Sequence, residues 1–142
     1  MKKSKRMQPL RRVAESKEQR AAAELGRAQQ HLQTQLARLQ EIQNYQQEYL
    51  SRFEQAGMNG IAADKLLSFR NFLEKLDTAV EQQQQAVNTA NDVVDQRKRQ
   101  WFSSRDKVKI FNKVISNFVD QEFSQEQKQE QKETDEKAQR SS

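Results

Sequence analysis

A seven-residue repeat constrains this chain more than any other feature. Leu66, Leu73, Val80, Val87, Val94, Trp101, Val108 and Ile115 recur at strict heptad spacing, and a second line three residues on reads Phe69, Leu76, Gln83, Ala90, Arg97, Ser104, Phe111 and Phe118. A repeat of 3.5 residues sustained this long keeps one narrow seam facing a partner helix, which is the geometry of a coiled coil. So narrow a stripe is not the face of a large globular core. The predicted fold is all-α, two long antiparallel helices in a coiled-coil hairpin.

Composition agrees. With 142 residues, 34% of them hydrophobic, and a mean hydropathy of −1.14, the chain has little with which to build a three-dimensional core. Three Gly and one Pro leave few places to turn, so the helices should be long and the domain single. Cysteine is absent, which removes disulfides and thiolate metal sites. A basic start (Lys2, Lys3, Lys5, Arg6) is followed by no apolar run of the signal-peptide kind. No stretch approaches the roughly 20 apolar residues of a membrane span, so a cytoplasmic location is expected. The net charge of +5 is uneven. Basic residues crowd the first dozen positions and the run Arg97, Lys98, Arg99, Arg105, Lys107, Lys109 and Lys113, a pattern that points to an acidic partner.

In chain order, residues 1–8 read as a disordered basic arm. Pro9 suits a first helical position, and the first helix is expected over 9–56. Leu25, Leu32, Leu39 and Phe53 hold one register, interrupted by Gln35 and Gln46 as register-fixing polar seam residues. Before Ala21 the apolar period weakens, and Leu10, Val13 and Ala14 suggest a drifted frame. Residues 57–61 are the turn, with Gly57 ending the helix in the left-handed conformation and Asn59-Gly60 tolerating positive φ. The second helix is expected over 62–124, and the Gln/Glu/Lys-rich tail 125–142 as frayed helix or disorder.

A turn centred near residues 58 and 59 sets Phe53 opposite the Leu66 region, Leu39 opposite Val80, and Pro9 opposite Val108. Phe111, Val114, Ile115, Phe118, Val119 and Phe123 would then have no partner within the chain, and an exposed seam marks a binding surface. Near the turn, Tyr45 and Phe72 lie beside the seam opposite each other, with Ala79 continuing that flank as a patch for another protein.

The catalytic inventory is thin. Three glycines build no phosphate-cradling loop, one His and no Cys make no metal cluster or nucleophile system, and the carboxylates are spread over solvated faces. The chain reads as a non-enzyme without cofactor or metal. His31 is read as a solvated surface residue, Trp101 as seam packing beside the basic run, and the run Gln82–Gln85 as ordinary helix surface.

The stretch Tyr45–Val87, YQQEYLSRFEQAGMNGIAADKLLSFRNFLEKLDTAVEQQQQAV, resembles the signature of the FliJ family of the flagellar type III export apparatus. The shared elements are Tyr45-Gln46-x-Glu48-Tyr49, the Gly60-Ile61 after the turn, the Phe72/Leu76/Ala79 line and Glu81-Gln82. The resemblance implies an antiparallel coiled coil like the γ-subunit stalk of rotary ATPases. It implies binding to the hexameric export ATPase FliI, promotion of its ring assembly, coupling to the export gate protein FlhA, and escort of export chaperones at the cytoplasmic face of the inner membrane. Tyr45, Tyr49, Phe72, Leu76 and Ala79 would fall on the gate-binding patch. The end carrying the termini would enter the ATPase ring, with Arg97, Arg99, Trp101, Arg105, Lys109, Phe111, Ile115 and Phe118 as its contacts; Gln83 in the seam receives no role. Alternatives are an export chaperone or structural spacer without ATPase coupling. A nucleic-acid-binding coiled coil is disfavoured because aromatics are not interleaved with the basic residues.

Overall fold

The computed structural model describes residues 1–57, 60 and 62–141. Two helices, α1 (Lys3–Gly57, 55 residues) and α2 (Ala63–Ser141, 79 residues), pack against each other as an antiparallel hairpin. Backbone contacts divide the chain into two compact units. A terminal unit joins Met1–Ala23 to Arg99–Ser142, and a turn unit spans Glu24–Lys98.

In the turn unit the heptad pattern translates directly into burial. Phe69, Leu76, Val87, Ala90 and Val94 of α2 are buried against Ala28, Gln35 and Leu39 of α1, and the remaining positions of both α2 lines are half-buried. Gln83 donates from Nε2 to the Gln35 main-chain oxygen and to Gln35 Oε1, both at 2.9 Å. Two amide side chains inside an apolar seam satisfy each other only in this register, which gives Gln83 the role the sequence left open. Gln46 likewise donates to Asp77 across the pair. Arg97 meets Glu24 at 2.9 Å, with both side chains more than a third exposed, so this ion pair adds well under about 1 kcal/mol.

The pairing is centred later than expected, because α1 ends at Gly57 and α2 begins only at Ala63. Phe53 therefore stacks on Phe69, centroids 3.7 Å apart, rather than on the Leu66 region. Among the described residues the left-handed one is Gly60 (φ 80°), not Gly57, which stays helical. Gly60 N–H donates to the Gly57 carbonyl at 3.3 Å. The expected Asn-Gly geometry falls on Asn59, which with Met58 and Ile61 lies outside the described residues.

The terminal unit corrects three expectations. First, residues 3–8 are helix, and Pro9 sits about two turns inside α1. Second, the seam frame does not drift toward the N-terminus. Leu10 and Val13 are 51% and 54% exposed, while Ser4 and Ala14 are buried and Met7, Arg11 and Glu18 half-buried, on the same two heptad lines that carry Ala28 and Leu39. Third, because α1 starts at Lys3, the distal seam of α2 is covered. Ile115 is buried, Phe111, Val114 and Phe118 are half-buried, and Lys3 Nζ lies 5.7 Å from the Phe118 ring centroid. Of the residues expected to be orphaned, Val119 and Phe123 are the exposed ones.

Beyond Glu126, α2 continues to Ser141 with every described residue exposed. Gln, Glu and Lys are good helix formers, and side chains four apart close local bonds such as Gln131 to Asp135 at 3.0 Å. The absence of an apolar period therefore argued against packing, not against helix.

Two predictions follow from these seams. Pro9 cannot donate to the Lys5 carbonyl, so Pro9→Ala should stabilise the terminal unit by up to about 3 kcal/mol, seen as a higher thermal midpoint by circular dichroism. Gln83→Ala should cost about 1–3 kcal/mol by stranding Gln35 Oε1, whereas Gln35→Leu with Gln83→Leu should raise the melting temperature and admit other oligomers in sedimentation.

Candidate functional site

Near the turn, α1 and α2 build a ladder of five aromatic rings. Tyr49 stacks on Phe69 at 4.7 Å with its plane 8° off and touches Phe72 at 4.6 Å. Tyr45 completes it, meeting Phe72 edge-on at 6.2 Å and Tyr49 at 6.5 Å. The residues of this patch do not share one environment. Leu76 is buried in the seam, Tyr49, Phe72 and Ala79 are half-buried, and Tyr45 is 47% exposed. A rigid aromatic held by ring contacts on one side and bare on the other presents contact area with little entropy left to lose.

The second candidate set divides between the units. Arg97 belongs to the turn unit, while Arg99, Trp101, Arg105, Lys109, Phe111, Ile115 and Phe118 belong to the terminal unit. Trp101 Nε1 donates to Glu18 at 2.8 Å, so its seam position is held by a polar partner. The Arg105 guanidinium carbon lies 5.3 Å from the Trp101 centroid and 4.8 Å from that of Phe102, a cation held over two ring faces. Its Nε is shielded from solvent and makes no hydrogen bond. Ile115 is buried and Phe111 and Phe118 are half-buried, so these three hold the unit together; Arg99, Lys109 and Phe102 are exposed.

Charge separates the units. The terminal unit holds 17 of the 25 Lys and Arg but only 10 of the 20 Asp and Glu, and the turn unit holds 8 and 10. At the chain's start the terminal unit is tied by polar contacts. Ser4 Oγ and Ser4 N–H donate to the two Glu122 oxygens at 2.7 and 3.2 Å, and Lys2 pairs with Glu126. A search for apolar residues passes over Ser4, Arg11, Glu18 and Glu122. Counting back by sevens from Leu25, and forward from Ile115, reaches all four.

Among the described residues no three His, Asp or Glu side chains gather as a metal site, and no helix is long and apolar enough to cross a membrane.

The Ser4 hydroxyl bond, then its N–H and the nearby Lys2 charge, hold the Glu122 carboxyl below the usual glutamate range against a smaller opposing effect of burial. Lys2 is raised by its bond to Glu126 and by that charge. A lowered carboxyl pKa means stability present at neutral pH and lost as pH falls below the ordinary glutamate range and through the folded value. Acidification should therefore fray residues 3–8 before the turn unit melts, read from NMR secondary shifts, and Glu122→Gln should abolish that pH dependence.

The protein-family comparison matches residues 2–142, essentially the whole chain, to the family described as flagellar FliJ protein. No curated protein and no solved structure matches the chain. With a family match of that span over a helical hairpin of this kind, the chain belongs to the FliJ family of flagellar proteins.

Proposed function

We propose that this FliJ-family component of the flagellar export apparatus is a non-enzymatic, stalk-like connector. On this reading its terminal unit binds the hexameric export ATPase and promotes ring assembly. Its turn unit touches the membrane export gate through Tyr45, Tyr49, Phe72 and Ala79, working at the cytoplasmic face of the inner membrane. Escort of export chaperones belongs to the same role.

The observation that carries the proposal is the unequal chemistry of the two units. One concentrates basic side chains and presents Arg99, Lys109 and Phe102 to solvent. The other is close to charge balance and exposes an aromatic edge at Tyr45. Basic rim charges speed the approach of an acidic surface and give salt-dependent affinity, whereas a rigid aromatic edge suits a fitted protein contact. Leu76 supports the patch from inside rather than touching a partner, and Ile115 does the same for the basic end.

This division decides which substitutions are informative. Charging Phe111 or Phe118 would disrupt the seam and lower binding for a trivial reason, so exposed residues are the ones to change. ATP turnover of the flagellar export ATPase should rise when this protein is added at less than one copy per subunit. Arg99→Glu with Lys109→Glu should keep full helicity yet weaken the interaction about tenfold at low salt. Unchanged stimulation by that variant would remove the basic end from the ATPase contact.

A further inference from the structure

A groove of about 240 Å³ runs between the helices within the terminal unit, lined by Leu10, Val13, Ala14, Lys17, Ser104, Lys107 and Phe111. Its walls combine two features that the seam does not require. Leu10 and Val13 lie off both heptad lines and are half exposed, although serine or glutamine would serve helix α1 as well at those places. Lys17 and Lys107 stand at the groove, and none of the described lining residues is acidic. Two half-exposed aliphatic side chains beside two lysines, in the unit richest in basic residues, form an apolar wall with a cationic rim.

We infer that this groove docks an acidic amphipathic segment of a partner protein, seating one or two large apolar side chains between Leu10, Val13 and Phe111 while flanking carboxylates meet Lys17 and Lys107. Charge complementarity selects this occupant. A second copy of the chain meeting the same face in a two-fold dimer would bring Lys17 and Lys107 toward their own kind. An anionic bilayer would satisfy the lysines, but a recess between two helices receives a protruding side chain better than it enters a lipid surface. This site is separate from the outward charges Arg99 and Lys109, and it does not depend on the identity of the export partners.

The test is selection of a displayed random 12-residue peptide library on the full-length protein at physiological salt. Enriched peptides should carry a large apolar residue flanked by Asp or Glu. Leu10→Ser with Val13→Ser, at exposed positions and with unchanged helicity, should weaken a selected peptide about tenfold or more. Lys17→Glu with Lys107→Glu should weaken it with a flatter dependence on salt. The inference is overturned if no acidic apolar motif emerges, or if the selected peptides bind the Leu10→Ser/Val13→Ser variant equally well. Vesicles rich in phosphatidylserine that bind through the same four residues and displace the peptides would assign the groove to the membrane instead. A concentration-dependent dimer abolished by Leu10→Ser/Val13→Ser would assign it to a second copy.

Discussion

Everything in this molecule depends on one narrow seam between two helices. A two-helix pair has no third layer, so each seam residue shields its partner on one side and leaves its flanks to water. Among the described residues no large side chain is completely buried, and even Leu39, Phe69 and Leu76 retain 8–9% of their exposure. Apolar burial of about 25 cal/mol per Å² must then be gathered over many half-covered positions rather than from a few central ones. The strict spacing of those positions is what makes the sum sufficient, because one slip would expose a whole line of them. The Gln35–Gln83 pair acts on the same constraint from the other direction, since its amides are satisfied at one alignment and stranded at others.

The seam changes character along the chain, and the two units differ accordingly. In the turn unit α1 and α2 fill it mostly with aliphatic and aromatic side chains, interrupted by the Gln35–Gln83 pair. In the terminal unit α1 contributes Ser4, Arg11 and Glu18, which hold their places by polar bonds to Glu122 and Trp101 or by lying along the seam as alkyl stems. Polar seams cost stability relative to apolar ones but respond to pH and salt. Pro9 weakens α1 within the same stretch. The terminal unit thus combines polar seam positions on α1, a proline inside the helix and the densest basic charge.

How far the sequence could be read follows from these physics. The α2 seam was legible residue by residue, because Leu66 through Phe118 repeat an apolar pattern that only one geometry satisfies. The facing of Tyr45 and Phe72 followed from the hairpin alone. The N-terminal half of the terminal unit was not legible by hydrophobicity, because its seam positions include Ser4, Arg11 and Glu18, while Leu10 and Val13 are conspicuous apolar residues off both heptad lines. Missing that continuation left Ile115 and Phe118 without a partner on paper. The tail illustrates the opposite limit: an entirely polar helix carries no packing signal, only propensity. At the candidate sites, Leu76 and Ile115 are buried while Tyr45 is exposed, a difference in access that the spacing does not carry. One cannot see from spacing alone which seam neighbour also reaches the surface.

The turn and terminal units carry surfaces that differ in chemistry. The central claim is that they serve different partners at the same time. Mass photometry of the chain mixed with the export ATPase and the cytosolic part of the export gate protein tests it most directly. The account predicts a ternary species, from which Arg99→Glu/Lys109→Glu removes only the ATPase and Tyr45→Ala/Phe72→Ala only the gate. Mutually exclusive binding, with either partner displacing the other, would contradict it.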